Sequence, residues 1–480
     1  MSPSPTKPRL FDPGQDVPLA VASVGVKLLH GKFSYELDVA PRSGSPTAAE
    51  TGDIIAVNEE RLTLLYGGNG TGKTSLLRLL FHALSSADNR GHRTALINTR
   101  FQRLDIFLSD STQISYHREP GELAGPYHAT LKRPDEDAIL WHFRPGEKRQ
   151  LLFENQWTAF TEQAGQRIFI GGAEEDPSEQ FLNALRGLSL NPVFLGDSRA
   201  ITADTLETDE RGLREVPRAG RRALELEEIV RRTRELDIEN ALDLVRNYLS
   251  RLAFAGTQAG SQRVDTVYLN VSRAIIQHAS TVGQPKKSLV PSLRERVEQL
   301  GERAQRFHAY GLLPEFPVEP LLQALAEAQN KNGPLLQHVL APYLDGMDER
   351  MDALEAGLQA VAAFIDALNS FLEGKRAEFR LSGDGVRILD EETGEQLDAS
   401  ELSSGEKQIV LLFSDIIALQ GETRLFIIDE PELSLNPHWQ RMLMPSLLGV
   451  TEQSKMQLIA ATHSIEIMAR YKTRIRRLGA

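Results

Sequence analysis

Apolar and polar residues alternate in short runs through the first part of the chain. Val21, Val24 and Val26 form one such run, Phe33, Tyr35, Leu37 and Val39 a second, and Ile54, Ile55, Ala56 and Val57 a third. A linker rich in Pro, Ser, Gly and Thr, Pro41 to Gly52, separates the last two and reads as a loop between strands. Leu104, Ile106 and Leu108 alternate again, turn at Ser109 to Thr112 and resume at Ile114 and Tyr116, which is the pattern of a β-hairpin. Tyr127 to Leu131 and Ile139 to Phe143 predict further strands, so a small antiparallel sheet is expected beside the apolar strand at Leu62 to Tyr66. Three other runs are continuously apolar: Val193 to Leu195, Leu425 to Ile428 and Leu458 to Ala461. They read as fully buried strands.

From about Asp209 the spacing becomes helical. Arg211, Arg214, Arg218, Arg221, Arg222, Arg231, Arg232 and Arg234 are interleaved with Glu225, Glu227, Glu228 and Glu235. Mixed signs at this spacing suit a solvated helix face, with a DNA- or partner-binding face as the alternative. Leu344, Met347, Met351, Leu354, Leu358, Val361, Ile365, Leu368 and Leu372 alternate steps of three and four, an a/d seam that would extend roughly 40 Å as a helix. A second seam comprises Leu293, Val297, Leu300, Ala304 and Phe307, and Pro314, Pro317, Pro320 and Pro334 break the stretch between them. The simplest arrangement is an antiparallel helical arm, out along 288–308 and back along 343–376. β-like alternation returns from Arg376 to Leu397. The expected division is therefore 1–17 without structure, 18–205 and 378–480 as two lobes of one α/β head, and 206–377 as a helical insertion.

Composition narrows the class. A chain of 480 residues is too long for one core, and 41% hydrophobic with 25% charged residues is ordinary for a globular protein. No apolar run approaches the ~18 residues of a membrane span. Met1 to Gly14 holds four prolines and no apolar segment, unlike a signal peptide. The chain has no cysteine, which rules out disulfides and thiolate metal sites and fits the cytoplasm. A net charge of −12 argues against a globally basic nucleic-acid binder, while leaving room for a local basic face.

The chemistry concentrates in four strings. Gly67-Gly68-Asn69-Gly70-Thr71-Gly72-Lys73-Thr74 matches G-x-x-x-x-G-K-[ST] between an apolar strand and the helix-like Ser75 to Phe81. Its glycines turn backbone N–H groups toward phosphate oxygens, Lys73 reaches the β/γ-phosphates and the Thr74 hydroxyl binds Mg²⁺. Leu402-Ser403-Ser404-Gly405-Glu406 opens an apolar helix, a second anion-binding geometry. Leu425 to Ile428 ends in Asp429 and Glu430, one carboxylate to hold Mg²⁺ through water and one to orient or deprotonate the attacking water. Leu458 to Ala461 runs into Thr462-His463-Ser464. Arg199, in the polar loop after Leu195, is a further candidate or else a surface arginine.

In this order the strings resemble the ABC-type ATPase heads of the SMC, RecF and OLD group, over about 20–200 and 378–475. The resemblance implies a head built of a P-loop mixed sheet plus an antiparallel β subdomain, with an inserted helical or short coiled-coil arm. It implies that two copies sandwich ATP and Mg²⁺, held by Gly67, Asn69, Gly70, Gly72, Lys73, Thr74 and Ser75 of one copy and by Ser403 and Gly405 of the other. Thr74 and Asp429 would be the metal residues, Glu430 the catalytic carboxylate and His463 the switch histidine. Asn436 stands where the group usually has Asp, and Gln102 or the loop after Leu195 would supply the Q-loop. Transporter ATPases place the signature much closer to the P-loop; here Lys73 and Ser403 are more than three hundred positions apart. OLD nucleases carry a Toprim domain after the histidine strand, but this sequence ends at Ala480, soon after His463. The resemblance therefore points to the ATPase subunits of anti-phage systems such as PARIS and Septu, homo-oligomers that work with a separate nuclease or toxin effector. A DNA-repair or chromosome-maintenance clamp of RecF type that binds DNA, and a non-hydrolysing ATP-bound scaffold, are the other readings. No membrane partner is implied.

Overall fold

The computed structural model describes residues 19–39, 60–87, 90–144, 160–163, 166–169, 176–196, 201–203, 238–251, 290–328, 333–381, 385–419, 424–452, 454 and 456–479. The N-terminal 1–17, the expected strand at Ile54 to Val57, the Pro41 to Gly52 linker, Arg199 and the basic run Arg211 to Arg234 lie outside the described residues. The chain divides into two compact units, Met1–Arg218 with Leu419–Ala480, and Ala219–Ala418. The Ser403 to Glu406 stretch belongs to the second unit.

The first unit opens with β1 (Val21–Leu29), β2 (Phe33–Asp38), β3 (Leu62–Gly67), α1 (Lys73–Leu84) and α2 (His92–Asn98). β4 (Arg103–Leu108), β5 (Gln113–His117), β6 (Tyr127–Lys132) and β7 (Ile139–Phe143) follow. After a separate pair, β8 (Phe160–Gln163) and β9 (Gln166–Phe169), come α3 (Pro177–Gly187), β10 (Val193–Leu195) and β11 (Ile201–Ala203). The second unit supplies α4 (Val290–Ala309), α5 (Val318–Ala328), α6 (Gly333–Asn369), β12 (Lys375–Arg380), β13 (Gly385–Asp390) and α7 (Ser404–Leu419). The first unit then resumes with β14 (Leu425–Asp429), α8 (Pro437–Val450), β15 (Gln457–Ala461), α9 (Ile465–Arg470) and β16 (Ile475–Leu478).

Two six-stranded sheets organise the first unit. One is antiparallel, in the order β2-β1-β4-β5-β6-β7. Its alternation is real: Val26, Leu104, Tyr116, Ala129 and Trp141 are buried on one face. On the opposite face Lys27, Arg103, His117, His128 and His142 lie directly across from one another in register. The other sheet runs β11-β10-β14-β15-β3-β16, all parallel except the edge strand β11. Every residue of β14 and β15 is buried, as continuous apolar runs require when both faces are covered. Helix α1 buries most of its residues, and Leu76, Leu77, Leu80 and Phe81 join a single core with residues of both sheets, among them Ile106, Ile114, Ile427 and Ile459. This α/β head, a P-loop mixed sheet with an antiparallel β subdomain, has the expected fold class.

In the second unit the two seams are buried as expected, including Val297, Phe307, Met351, Val361 and Leu368. Their direction is not as expected. Arg296 pairs with Asp345, Arg303 with Asp348 and Asp352 at 2.6 Å each, and Tyr310 with Asp366 at 2.9 Å. Both partners of each pair advance together, so α4 and α6 run parallel rather than as an out-and-back arm. α5 is the return segment between them. Pro320 did not prevent this helix, because it falls in the first turn, where no intrahelical N–H is required. α6 likewise starts at Gly333 and continues through Pro342, ten residues earlier than the seam suggested.

Arg61, just before β3, joins the sheet to the end of α8. It is 4% exposed, and its Nη1 donates to Thr451 O (2.6 Å) and Met456 O (3.3 Å) and its Nη2 to Leu448 O (2.9 Å). The Leu448 and Thr451 carbonyls are ones that a helix C-terminus leaves without intrahelical donors, and Met456 O lies just before β15. Arg61→Ala should therefore cost about 2–4 kcal/mol of stability, with Arg61→Lys recovering only part. Chemical denaturation measures it; an unchanged midpoint would contradict this role for the guanidinium.

Candidate functional site

The parallel register brings the distant motifs to one edge. Ala461 of β15 faces both Leu65 of β3 and Asp429 of β14, so the P-loop, the two carboxylates and His463 all leave the sheet at its carboxyl end. Gly67 closes β3 in a place with no room for a side chain: a Cβ there would sit 2.7 Å from Leu478 O and from Thr71 Oγ1. Gly70 and Gly72 have φ of +78° and +86°, conformations open to glycine, and they swing the loop into the first turn of α1. The loop is held from the antiparallel sheet, where Tyr35 Oη donates to Thr71 O at 2.7 Å and His30 Nε2 lies 2.8 Å from Ser75 Oγ. Asn69 and Gly70 are exposed at the tip, while Thr74 and Ser75 are half-buried on α1.

Lys73 is buried, and its Nζ donates to Gly67 O (2.9 Å), Gly68 O (3.2 Å) and His463 Nε2 (2.6 Å). The same histidine nitrogen lies 3.4 Å from Glu430 Oε1. Glu430 has a φ of 49°, unusual for a residue with a side chain, and its N–H continues the ladder to Ala461 O at 2.9 Å. Burial first, and then the neighbouring Glu432 and Asp429 carboxylates, push the Glu430 carboxyl up to about 7, against a pull from Lys73. Three carboxylates within four positions make this strand end a concentration of negative charge. Among the described residues no three His, Asp or Glu side chains are arranged to hold a metal ion by themselves. The donor set expected from the sequence, the Thr74 hydroxyl and the Asp429 carboxylate, consists of hard oxygens, which would suit Mg²⁺ if phosphates and water supplied its other ligands.

Several neighbours of this site are not visible in the motifs. Tyr35 and His30 sit far upstream of the P-loop. Glu432 accepts hydrogen bonds from the turn carrying His463, and Gln440 bonds Leu435 O at 2.8 Å and Ser464 Oγ at 2.7 Å. Asn436 has a structural use: its Oδ1 accepts from Trp439 N at 2.9 Å and caps α8, with Pro437 in the first turn. Gln102 is engaged through its backbone, donating to Lys27 O and accepting from Arg118 N.

Ser403 and Gly405 belong to the second unit. There Ser403 Oγ accepts from Glu406 N (3.3 Å) while Glu406 Oε2 accepts from Ser403 N (2.7 Å), a reciprocal cap that starts α7. Lys375 Nζ binds both Glu406 oxygens, at 3.0 and 2.8 Å. Burial alone would raise the Glu406 carboxyl; the bonds from Lys375 and Ser403 outweigh it and hold the group below its ordinary value.

Known proteins share parts of this chain. It is 28% identical over 164 residues to the Retron Ec83 probable ATPase of Escherichia coli, covering 31% of this chain and 29% of that protein. Over 76 residues it is 32% identical to the lipoprotein-releasing system ATP-binding protein LolD 2 of Rhodopseudomonas palustris, 16% of this chain and 32% of that one. The chain thus spans about a third of the length of each of these curated relatives. Among solved structures it is similar to the Smc head domain with an extended coiled coil bound to the C-terminal domain of ScpA from Pyrococcus furiosus. That match has 12% identity, 94% of this chain, 91% of the other and a TM-score of 0.35. The Smc head domain with a coiled coil and joint from Pyrococcus yayanosii gives 13%, 94%, 93% and 0.34. A family model described as "AAA domain, putative AbiEii toxin, Type IV TA system" matches residues 62–469, from the P-loop strand to the helix after His463. The chain belongs to that family of AAA/ABC-type ATPases.

Proposed function

We propose that the chain binds ATP with Mg²⁺ at the carboxyl end of its parallel sheet and hydrolyses it. The observation that carries this reading is a single imidazole nitrogen lying 2.6 Å from Lys73 Nζ and 3.4 Å from Glu430 Oε1. It joins the residue suited to the phosphates and the residue suited to the attacking water. The P-loop carbonyls and His463 accept from the lysine. A triphosphate offers it stronger, charge-assisted acceptors, so Lys73 exchanges partners on binding. Glu430 acts as general base toward a water positioned beside His463, and its pKa lies near the operating range a base needs. Thr74 and Asp429 hold the Mg²⁺, whose chemistry is to neutralise charge developing on the phosphate oxygens.

Three apolar or aromatic side chains border this site in solvent: Ile465 (77% exposed), Leu433 (48%) and Tyr66 (36%). A second copy closing over bound ATP would cover them, with Ser403 and Gly405 of that copy on the γ-phosphate. ATP would thereby favour the closed pair, because the contacts exist only there. We place the chain as the ATP-driven half of an anti-phage system that gates a separate nuclease or toxin effector. The relation to a retron ATPase and the toxin wording of the family description support that placement. Salt-steep, ATP-dependent DNA binding by the chain alone would favour a repair or chromosome-maintenance role instead.

Lys73→Ala should abolish ATP binding in calorimetry. Glu430→Gln should retain it but lower turnover by about 10²- to 10⁴-fold; turnover at the wild-type rate would remove Glu430 from the mechanism.

The same carboxyl makes a stability prediction for nucleotide- and magnesium-free protein. Its folded value of about 7 exceeds its ordinary 4.5, so the folded state holds the proton more tightly and loses stability as pH rises through that window. Glu430→Gln should thus be more stable than wild type at pH 8, by on the order of 1 kcal/mol, and no more stable at pH 4.5. Thermal melts at the two pH values decide it.

A further inference from the structure

Glu432 enters the chemistry above only through its charge beside Glu430, yet it is a heavily engaged carboxylate. It is 8% exposed, and its Oε1 accepts from Thr462 Oγ1 (2.7 Å), His463 N (2.6 Å) and Ser464 N (3.0 Å). All three donors belong to the turn that carries the imidazole. The sheet itself holds that turn only as far as its start, through Glu430 N to Ala461 O and Thr462 N to Leu65 O. Beyond those rungs the histidine's own N–H is tied to Glu432, and a buried backbone N–H without a partner is costly. The tie continues outward. Ser464 Oγ donates to Gln440 Oε1 (2.7 Å) and accepts from Ile467 N (3.1 Å), starting α9. Gln440 Nε2 then donates to Leu435 O (2.8 Å), in the loop that bears exposed Leu433.

We propose that Glu432 is a positioning residue: by accepting three hydrogen bonds on one oxygen it fixes the turn that holds His463 Nε2 between Lys73 and Glu430. Resting on the ATPase reading, it acts on the rate of the chemical step and not on nucleotide affinity, because among the described residues its side-chain hydrogen bonds come from the histidine turn and none from the P-loop. One oxygen does the accepting, so an amide in its place preserves the three bonds, whereas a methyl group removes them.

The test compares Glu432→Gln and Glu432→Ala in the full chain by two readouts. The first is amide exchange of His463 in nucleotide-free protein, which is independent of any activity; Ser464 N is no such probe, because it also donates to Thr462 Oγ1 at 3.0 Å. Exchange at His463 should be unchanged in Glu432→Gln and about tenfold or more faster in Glu432→Ala. The second is steady-state ATP turnover, in which Glu432→Ala should lose about 10- to 100-fold in kcat with KM within about twofold, and Glu432→Gln should recover most of the loss. If Glu432→Ala does not fold, Thr462→Val removes one donor and should speed exchange at His463 and lower kcat several-fold. Unaltered exchange in Glu432→Ala, a KM rise that accounts for the kinetic loss, or equal damage from Gln and Ala would each overturn the proposal. A wild-type chain that never turns over ATP would remove the ATPase reading instead, and the exchange data alone would then decide the role of Glu432.

Discussion

The site depends on strand register. β3 comes from the front of the chain, yet it lies between β15 and β16, which come from its last part, with β14 one strand further on. Leu65, Ala461 and Asp429 sit level across three parallel strands. Each chain therefore emerges at the same height, and a lysine, two carboxylates and a histidine meet without a long loop having to carry any of them. A slip of one residue in this pairing would turn every side chain of the strand to the other face. The continuous burial of β14 and β15 makes the sheet a rigid support for groups that must be held to fractions of an ångström.

What that geometry assembles is electrostatically unfavourable on its own. Asp429, Glu430 and Glu432 crowd one strand end, and the carboxyl of Glu430 rises in response. Glu430 and Ser434 also take left-handed backbone conformations, with φ of 49° and 65°. Strain and like charge at the same turn suit a site completed by a cation and an anionic ligand rather than one selected for stability alone. Buried hydrogen bonds around it, from Arg61 to the end of α8 and from Glu432 to the histidine turn, hold the arrangement in place.

The motifs were legible because each is a local string whose neighbours name its element: Gly67 to Thr74 between a strand and a helix, Asp429-Glu430 after four apolar residues, His463 after another such run. The antiparallel sheet was legible for a similar reason, since alternation at Leu104 to Tyr116 reports which face is buried. The direction of the inserted helices was not. A heptad seam marks the buried face of α4 and of α6 but is the same read from either end. Of the four prolines read as helix breakers, Pro314 and Pro317 do lie between α4 and α5, but Pro320 and Pro334 occupy the first turns of α5 and α6, and Pro342 lies within α6. Nor could local strings reveal Tyr35 on the P-loop or Glu432 on the histidine turn. Those roles exist only once the strands are paired.

One nucleotide and one metal ion are proposed to lie where β3, β14 and β15 end. A crystal structure with Mn²⁺ in place of Mg²⁺ and a non-hydrolysable ATP analogue tests this placement most directly. One anomalous peak is expected at the Thr74 hydroxyl with Asp429 beside it, and Lys73 Nζ is expected to leave His463 for the phosphates. A triphosphate bound elsewhere, or Lys73 still bonded to His463 with nucleotide in place, would contradict it.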